Sequence, residues 1–182
     1  MPSERDVDPP GDPDVLAKNI CLRMLAVQAR SRAELAAKLQ QRGIPVDSAE
    51  RVLDRLDAAG LVDDAAFAES FVTIKHRDRG LGRAALRAEL KRKGIDRSVA
   101  ERAVEGIDDE AERRRAAELV AKKLDSAMFA GPAAARRRLL GMLARRGYSA
   151  AVSAHVIGEA LRGYVDPEDL TVDDPGIVGD DV

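Results

Sequence analysis

The chain has 182 residues, 45 % of them apolar, 34 % charged and 3 % aromatic, with no Trp and one Cys. That length suits one ordinary domain or a few small ones, and so high a charged fraction implies a thin core and an extended body rather than a sphere. One Cys excludes an internal disulfide, the acidic start argues against a secretory leader, and no apolar run approaches the roughly 20 residues of a bilayer span, so a cytoplasmic protein without a membrane is expected.

Residues 1–17 hold five acids (Glu4, Asp6, Asp8, Asp12, Asp14) against Arg5, which predicts a disordered acidic N-terminal tail. A helix over about 15–29 follows, carrying Leu16, Ile20, Leu22 and Leu25, with Cys21 as a small apolar core residue. Ser31-x-x-Glu34 is a capping box for the next helix, on which Leu35 and Leu39 share one face. Gly43 then stands where a helix ends in the left-handed conformation. Asp47-x-x-Glu50 resembles a box opening a helix with Leu53 and Leu56. Asp63-Asp64 reads as the start of a helix over 64–78 (Phe67, Phe71, Ile74) rather than a metal pair, because carboxylates suit the unpaired N–H groups there. Leu86, Leu90 and Gly94 repeat the leucine–glycine pattern, and Ser98-x-x-Glu101 is a further box, ahead of Val104 and Ile107. A helix over 109–126 carries Ala117, Leu119, Val120 and Leu124. Gly131-Pro132 opens the helix of Leu139 and Leu143, since Pro suits the first helical turn. It ends at Gly147, and Val156 and Ile157 mark a last helix. Residues 163–182 hold seven acids and no Lys or Arg, a second tail expected to be disordered.

An internal repeat organises these elements. Leu35-Ala-Ala-Lys-Leu39-Gln-Gln-Arg-Gly43-Ile44 aligns with Leu86-Arg-Ala-Glu-Leu90-Lys-Arg-Lys-Gly94-Ile95 and with Leu139-Leu-Gly-Met-Leu143-Ala-Arg-Arg-Gly147-Tyr148. Each copy has a helix before it and one after it, giving nine helices in three groups of three and no strand. A three-helix unit of this size buries little by itself, so neighbours should lean on each other. The expected fold is all-α: three tandem three-helix repeats at 18–62, 63–108 and 109–162, forming an elongated rod, straight or curved, between acidic tails at 1–17 and 163–182. A single compact bundle is the competing architecture.

Catalytic groups are scarce. His76 and His155, the two histidines, have no nucleophile signature beside them, and Gly80-Leu81-Gly82-Arg83 is too short for a phosphate loop. No enzyme, metal, cofactor or small-molecule substrate is expected. Charge is the informative feature. The net −2, with −4 and −7 in the two tails, leaves +9 on residues 18–162. Bases crowd 75–97 and 113–146, and Arg83, Arg87 and Lys91 recur every fourth residue as a stripe. Such faces are either merely solvated or meet phosphates or an acidic protein. Stacking aromatics and a base-reading helix are missing, so any DNA contact would be weak and sequence-blind.

Two linked motifs point further. Leu61-Val-Asp63-Asp64-Ala-Ala-Phe67-Ala68-Glu-Ser-Phe71, then Gly82-Arg-Ala-Ala-Leu86-Arg-Ala-Glu89-Leu90-Lys-Arg-Lys93-Gly94-Ile95, closely resemble the signature of the RecX family. The resemblance covers about residues 18–162. The third copy departs from it, with Tyr148 for Ile and Met142-Leu143 for Glu-Leu. The resemblance implies a triplicated three-helix architecture and a negative modulator of RecA that binds RecA and its filaments on single-stranded DNA. Inhibition of ATP hydrolysis, strand exchange and coprotease activity, and through them a role in DNA repair and the SOS response, are implied with it. Clustering nominates Lys75, Arg77, Arg79, Lys91, Lys93, Arg136, Arg137, Arg145 and Arg146 as RecA or DNA contacts. A sequence-blind DNA-binding helical protein and a helical adaptor for another acidic protein are the alternatives.

Overall fold

The structure, a computed structural model, describes residues 11–164 and is all-helical there, without strands. Nine helices run in order: α1 (Pro13–Val27), α2 (Arg32–Gln41), α3 (Val46–Ala58), α4 (Asp64–Arg79), α5 (Arg83–Arg92), α6 (Arg97–Glu105), α7 (Asp109–Met128), α8 (Pro132–Arg145) and α9 (Ala150–Arg162). The C-terminal acidic stretch from residue 165 and residues 1–10 lie outside the described residues. Residues 13–17, expected within the N-terminal tail, instead form the first turn of α1. Asp12 caps that turn by accepting from Asp14 N (2.9 Å), Pro13 stands at its start, and Asp14 pairs with Arg51 (2.9 Å).

Most helix starts follow the sequence. Ser31 Oγ accepts from Glu34 N (3.1 Å) while Ser31 N donates to the Glu34 carboxylate (3.2 Å), a complete capping box. Asp63 accepts from Ala65 N and Ala66 N, both at 2.9 Å. Two boxes are not formed. The cap of α6 is Asp96, which accepts from both Ser98 N and Ser98 Oγ and so starts the helix two residues before Ser98. In α3 the cap position is Pro45, with no side-chain bond, and Asp47 lies inside the first turn. A carboxylate two positions nearer the chain start wins in the first case, and a proline already shapes the backbone in the second.

Three separate apolar cores result, one for each run of three helices. Cys21, Leu35, Leu39 and Leu53 centre the first, Leu86, Leu90 and Val104 the second, and Leu139, Leu143, Val120 and Ile157 the third. In each, the leucine pair spaced by four on the middle helix (α2, α5, α8) is sealed from solvent. Gly43, Gly94 and Gly147, which end those helices, all have positive φ (72°, 73° and 82°). Glycine alone adopts that conformation without strain.

What joins the units is also repeated. Between the first and second, Arg32 N at the start of α2 donates to the Asp64 carboxylate of α4 (2.8 Å), and Ser31 Oγ donates to Lys93 O at the end of α5 (2.6 Å). Between the second and third, Arg83 N at the start of α5 donates to the Glu112 carboxylate of α7 (3.2 Å), and Gly82 N donates to Arg146 O at the end of α8 (2.7 Å). The first two middle helices, α2 and α5, thus each have their first N–H satisfied by the next unit. A Cβ at Gly94 would strike Ala33, and one at Gly147 would strike Ala85, so both glycines also permit the close approach. The third middle helix, α8, starts one turn earlier relative to its leucine pair, at Pro132, which has no N–H to offer.

Candidate interaction surface

The nine nominated cations fall into three sets. Lys75 and Lys93 converge on one aromatic pair of the second unit. Phe67 and Phe71 stack with ring centroids 5.9 Å apart, Lys93 Nζ lies 5.6 Å from both rings, and Lys75 Nζ lies 5.5 Å from Phe71. Lys93 also donates to Glu34 at 2.8 Å, across the first joint. Burial pushes the Glu34 carboxyl up. The hydrogen bonds from Lys93 and the Ser31 N–H, helped by the charges of Lys93 and Arg30, outweigh it and hold the group below its ordinary value. Lys93 is therefore a joint residue whose charge is already met.

Arg79, Arg145 and Arg146 come together at the second joint. Arg146 donates to Arg79 O, while Arg115 of α7 donates to His76 O (3.3 Å) and Arg77 O (2.7 Å). Two arginines of the third unit thus grip the carbonyl end of α4, where cations also suit the helix dipole. Gly80, in the left-handed conformation (φ 61°), brings that end so close that a Cβ would meet Leu119 and Arg146. Beside these contacts lies a cleft of about 720 Å³ lined by Asp78, Arg79, Leu81, Arg115, Leu119, Lys122, Met142, Arg145 and Arg146. Arg115 and Lys122 were counted in the basic run but not nominated. Their signal was their place on α7, three and two residues from Glu112 and Leu119–Val120, whose burial fixes which way that helix faces.

Lys91, Arg136 and Arg137 are exposed on α5 and α8 and make no ion pair among the described residues. Arg77 is exposed and holds Asp78 (2.7 Å), whose carboxyl it lowers. The expected stripe of Arg83, Arg87 and Lys91 is largely neutralised. Arg83 binds Asp109 (2.8 Å), Glu112 and the Ile107 carbonyl, and Arg87 binds Glu101 (2.6 Å), leaving Lys91 alone unpaired. Nothing in this surface assembles a nucleophile and base. His76 Nδ1 lies 2.8 Å from Leu81 O, and His155 sits on α9 near Glu159 (3.5 Å). The buried Tyr148 hydroxyl has no partner, and burial pushes its pKa up to about 12, so it stays a neutral phenol. Among the described residues no group of His, Cys, Asp and Glu suits a metal ion, and no helix is long and apolar enough to cross a membrane.

Comparison with known proteins gives family matches within the first two of these units. The family descriptions "RecX, first three-helix domain" and "RecX, second three-helix domain" match residues 17–56 and 63–104. The chain is 46 % identical to the regulatory protein RecX of Amycolatopsis mediterranei over 156 residues, covering 86 % of this chain and 89 % of that one. It is 49 % identical to that of Mycobacterium marinum over 142 residues, covering 78 % and 82 %. The crystal structure of RecX from Lactobacillus salivarius superposes with a TM-score of 0.77 over 81 % of this chain and 96 % of that one, at 24 % identity, a likeness of fold.

Proposed function

Since the chain belongs to the RecX family, we propose that it is a non-enzymatic negative regulator of the RecA recombinase. It binds RecA and RecA filaments on single-stranded DNA and inhibits their ATP hydrolysis, strand exchange and coprotease activity, so damping DNA repair and the SOS response in the cytoplasm. The observation that carries the reading is that similarity to a regulatory protein RecX extends over 86 % of the chain, the whole row of units rather than one of them. A row of units, here taken as 18–62, 63–108 and 109–162, suits a polymeric partner. Several weak contacts on one rigid scaffold add through effective concentration, with no single deep pocket needed.

The contacts are assigned to cations without an acidic partner: Lys91, Arg136, Arg137 and Arg145, with Arg77, Arg79 and Arg146 beside them. Lys75 and Lys93 support the surface from beneath through Phe67 and Phe71. The test is RecA-driven ATP hydrolysis on single-stranded DNA with increasing amounts of the purified chain. Turnover should fall, and reversing Arg136–Arg138 to Glu should weaken inhibition with helicity intact. Undiminished turnover and strand exchange at saturation overturn the reading. The unpaired cations also favour a second reading, a sequence-blind DNA-binding protein that never meets RecA. It predicts steeply salt-dependent binding to DNA alone and no effect specific to the filament.

A further inference from the structure

We infer that the second joint is built to seat the phosphodiester backbone of a single nucleic-acid strand. This deepens the reading above and rests on it for the presence of such a strand.

Two clefts adjoin there and share Arg115. One, of about 360 Å³, is lined by His76, Arg77, Arg114, Arg115 and Glu118 among others; the second is the 720 Å³ cleft of Arg79, Arg115, Lys122, Arg145 and Arg146. Together they form an open track along the end of α4 and the face of α7. Seven Lys and Arg side chains line it against two acids, and both acids are already held: Asp78 by Arg77 at 2.7 Å and Glu118 by Arg115. Arg79 is paired with Glu89 at 3.6 Å, whereas Arg114, Lys122 and Arg145 make no ion pair among the described residues. So unbalanced a set of cations calls for an anion of high charge density.

Position selects a strand over a compact anion. Arg115 and Arg146 are not mobile counter-charges, because the carbonyls of His76, Arg77 and Arg79 fix them. A guanidinium that gives some of its N–H groups to carbonyls keeps others for a phosphate. Leu81, Leu119 and Met142 add an apolar floor to the larger cleft, which suits the sugar and base faces between phosphates. The two clefts are open and meet at Arg115, so a polymer can pass from one to the other, whereas a free nucleotide would fill one cleft only. Because its cations come from both the second and third units, a seated strand also holds those units at one angle.

The test measures fluorescence anisotropy of labelled oligo-dT, about 16 nucleotides long, with the full chain and no RecA. Lys122→Glu with Arg145→Glu is compared with Arg23→Glu plus Arg42→Glu, exposed on the first unit, which changes net charge equally away from the track. The track variant should lose about tenfold more affinity than the control, and its slope of log affinity against log salt should shrink by about 1.4, the loss of two phosphate contacts. Equal losses in the two variants overturn the proposal, since net charge alone then suffices. ATP competing as well as the oligonucleotide, per phosphate, also overturns it, in favour of free phosphate compounds. Should the reversal variant fail to fold by circular dichroism, Lys122→Gln with Arg145→Gln takes its place under the same criteria. RecA inhibition is measured beside these. A track variant that loses the strand but still inhibits RecA separates the two claims, and an inhibition-free wild type that still prefers the track leaves this one standing.

Discussion

The two joints follow one docking plan and end with opposite electrostatics. At each, the N-terminal N–H of a middle helix reaches a carboxylate of the next unit, Asp64 or Glu112. At each, a cap residue donates to the carbonyl that ends the next middle helix. Around the first joint the charges cancel: Lys93 meets Glu34, and Arg32 meets Glu50 and Asp54 at 2.6 and 2.7 Å. Around the second, Arg83 and Arg115 also find acids, but Arg146 is held by the uncharged Arg79 carbonyl and Lys122 and Arg145 beside it meet no acid among the described residues, so cationic charge remains. Docking and surface charge are thus separable: the same backbone contacts can carry a neutral joint or a cationic one.

The sharpest way to break this comparison uses the three equivalent glycines. Gly147→Ala should cost about 3 kcal/mol in urea denaturation, combining left-handed strain with a collision against Ala85, and Gly94→Ala should fall close behind. Gly43→Ala, whose surroundings are open, should cost only about 1 kcal/mol of strain. Equal costs at all three would show that the joints do not depend on close approach. Next, Glu112→Ala should destabilise by about 2 kcal/mol, because Glu112 is buried and serves both Arg83 N and the Arg83 side chain. Asp64→Ala, at a half-buried site with one bond to replace, should cost about half as much.

A smaller effect separates the joints by pH. The Glu34 carboxyl is depressed in the folded chain, so its contribution is complete above its unfolded value and is lost as pH falls through the lower folded one. Acid unfolding should therefore begin later in the wild type than in Glu34→Gln, which should lose about 1 kcal/mol at neutral pH and little more on acidification. Identical acid profiles would remove the ion pair from the account of the first joint. Smallest of all, deleting 163–182 removes seven acids and should raise DNA affinity severalfold at low salt, with the gain fading as salt screens it. No change in anisotropy titrations would show that these acids do not compete for the basic faces.

The helices and their grouping were legible because leucines spaced by four, followed by glycine, dictate a buried face and an end within ten residues. The joints were not. Their bonds link residues as far as 29 to 67 positions apart, such as Arg83 to Glu112 and Arg146 to Arg79, and which partner is met depends on how whole units dock. Asp63-Asp64 illustrates the boundary: a helix start explains Asp63, but one cap needs one carboxylate, and the second acid belongs to the neighbouring unit. Glu112 left a similar trace, a charge in step with the buried Ala116 and Val120. The basic runs were legible as counts. Which of their members stay unpaired was not, because Arg83, Arg87 and Lys93 find acids only in the folded chain.

The helix that opens on Pro132 departs from the docking pattern of its two predecessors. Arg32 and Arg83 each present one hydrogen to the following module, and a stack built only of such modules could grow without limit. In the third module the register position of Arg32 and Arg83, three residues before the first leucine, is Arg136, inside a helix that opens one turn earlier at Pro132, so its N–H is spent within the helix and the latch of the two joints is not repeated there. One extra turn of helix thus turns a linking module into one that offers its surroundings no spare hydrogen at that place.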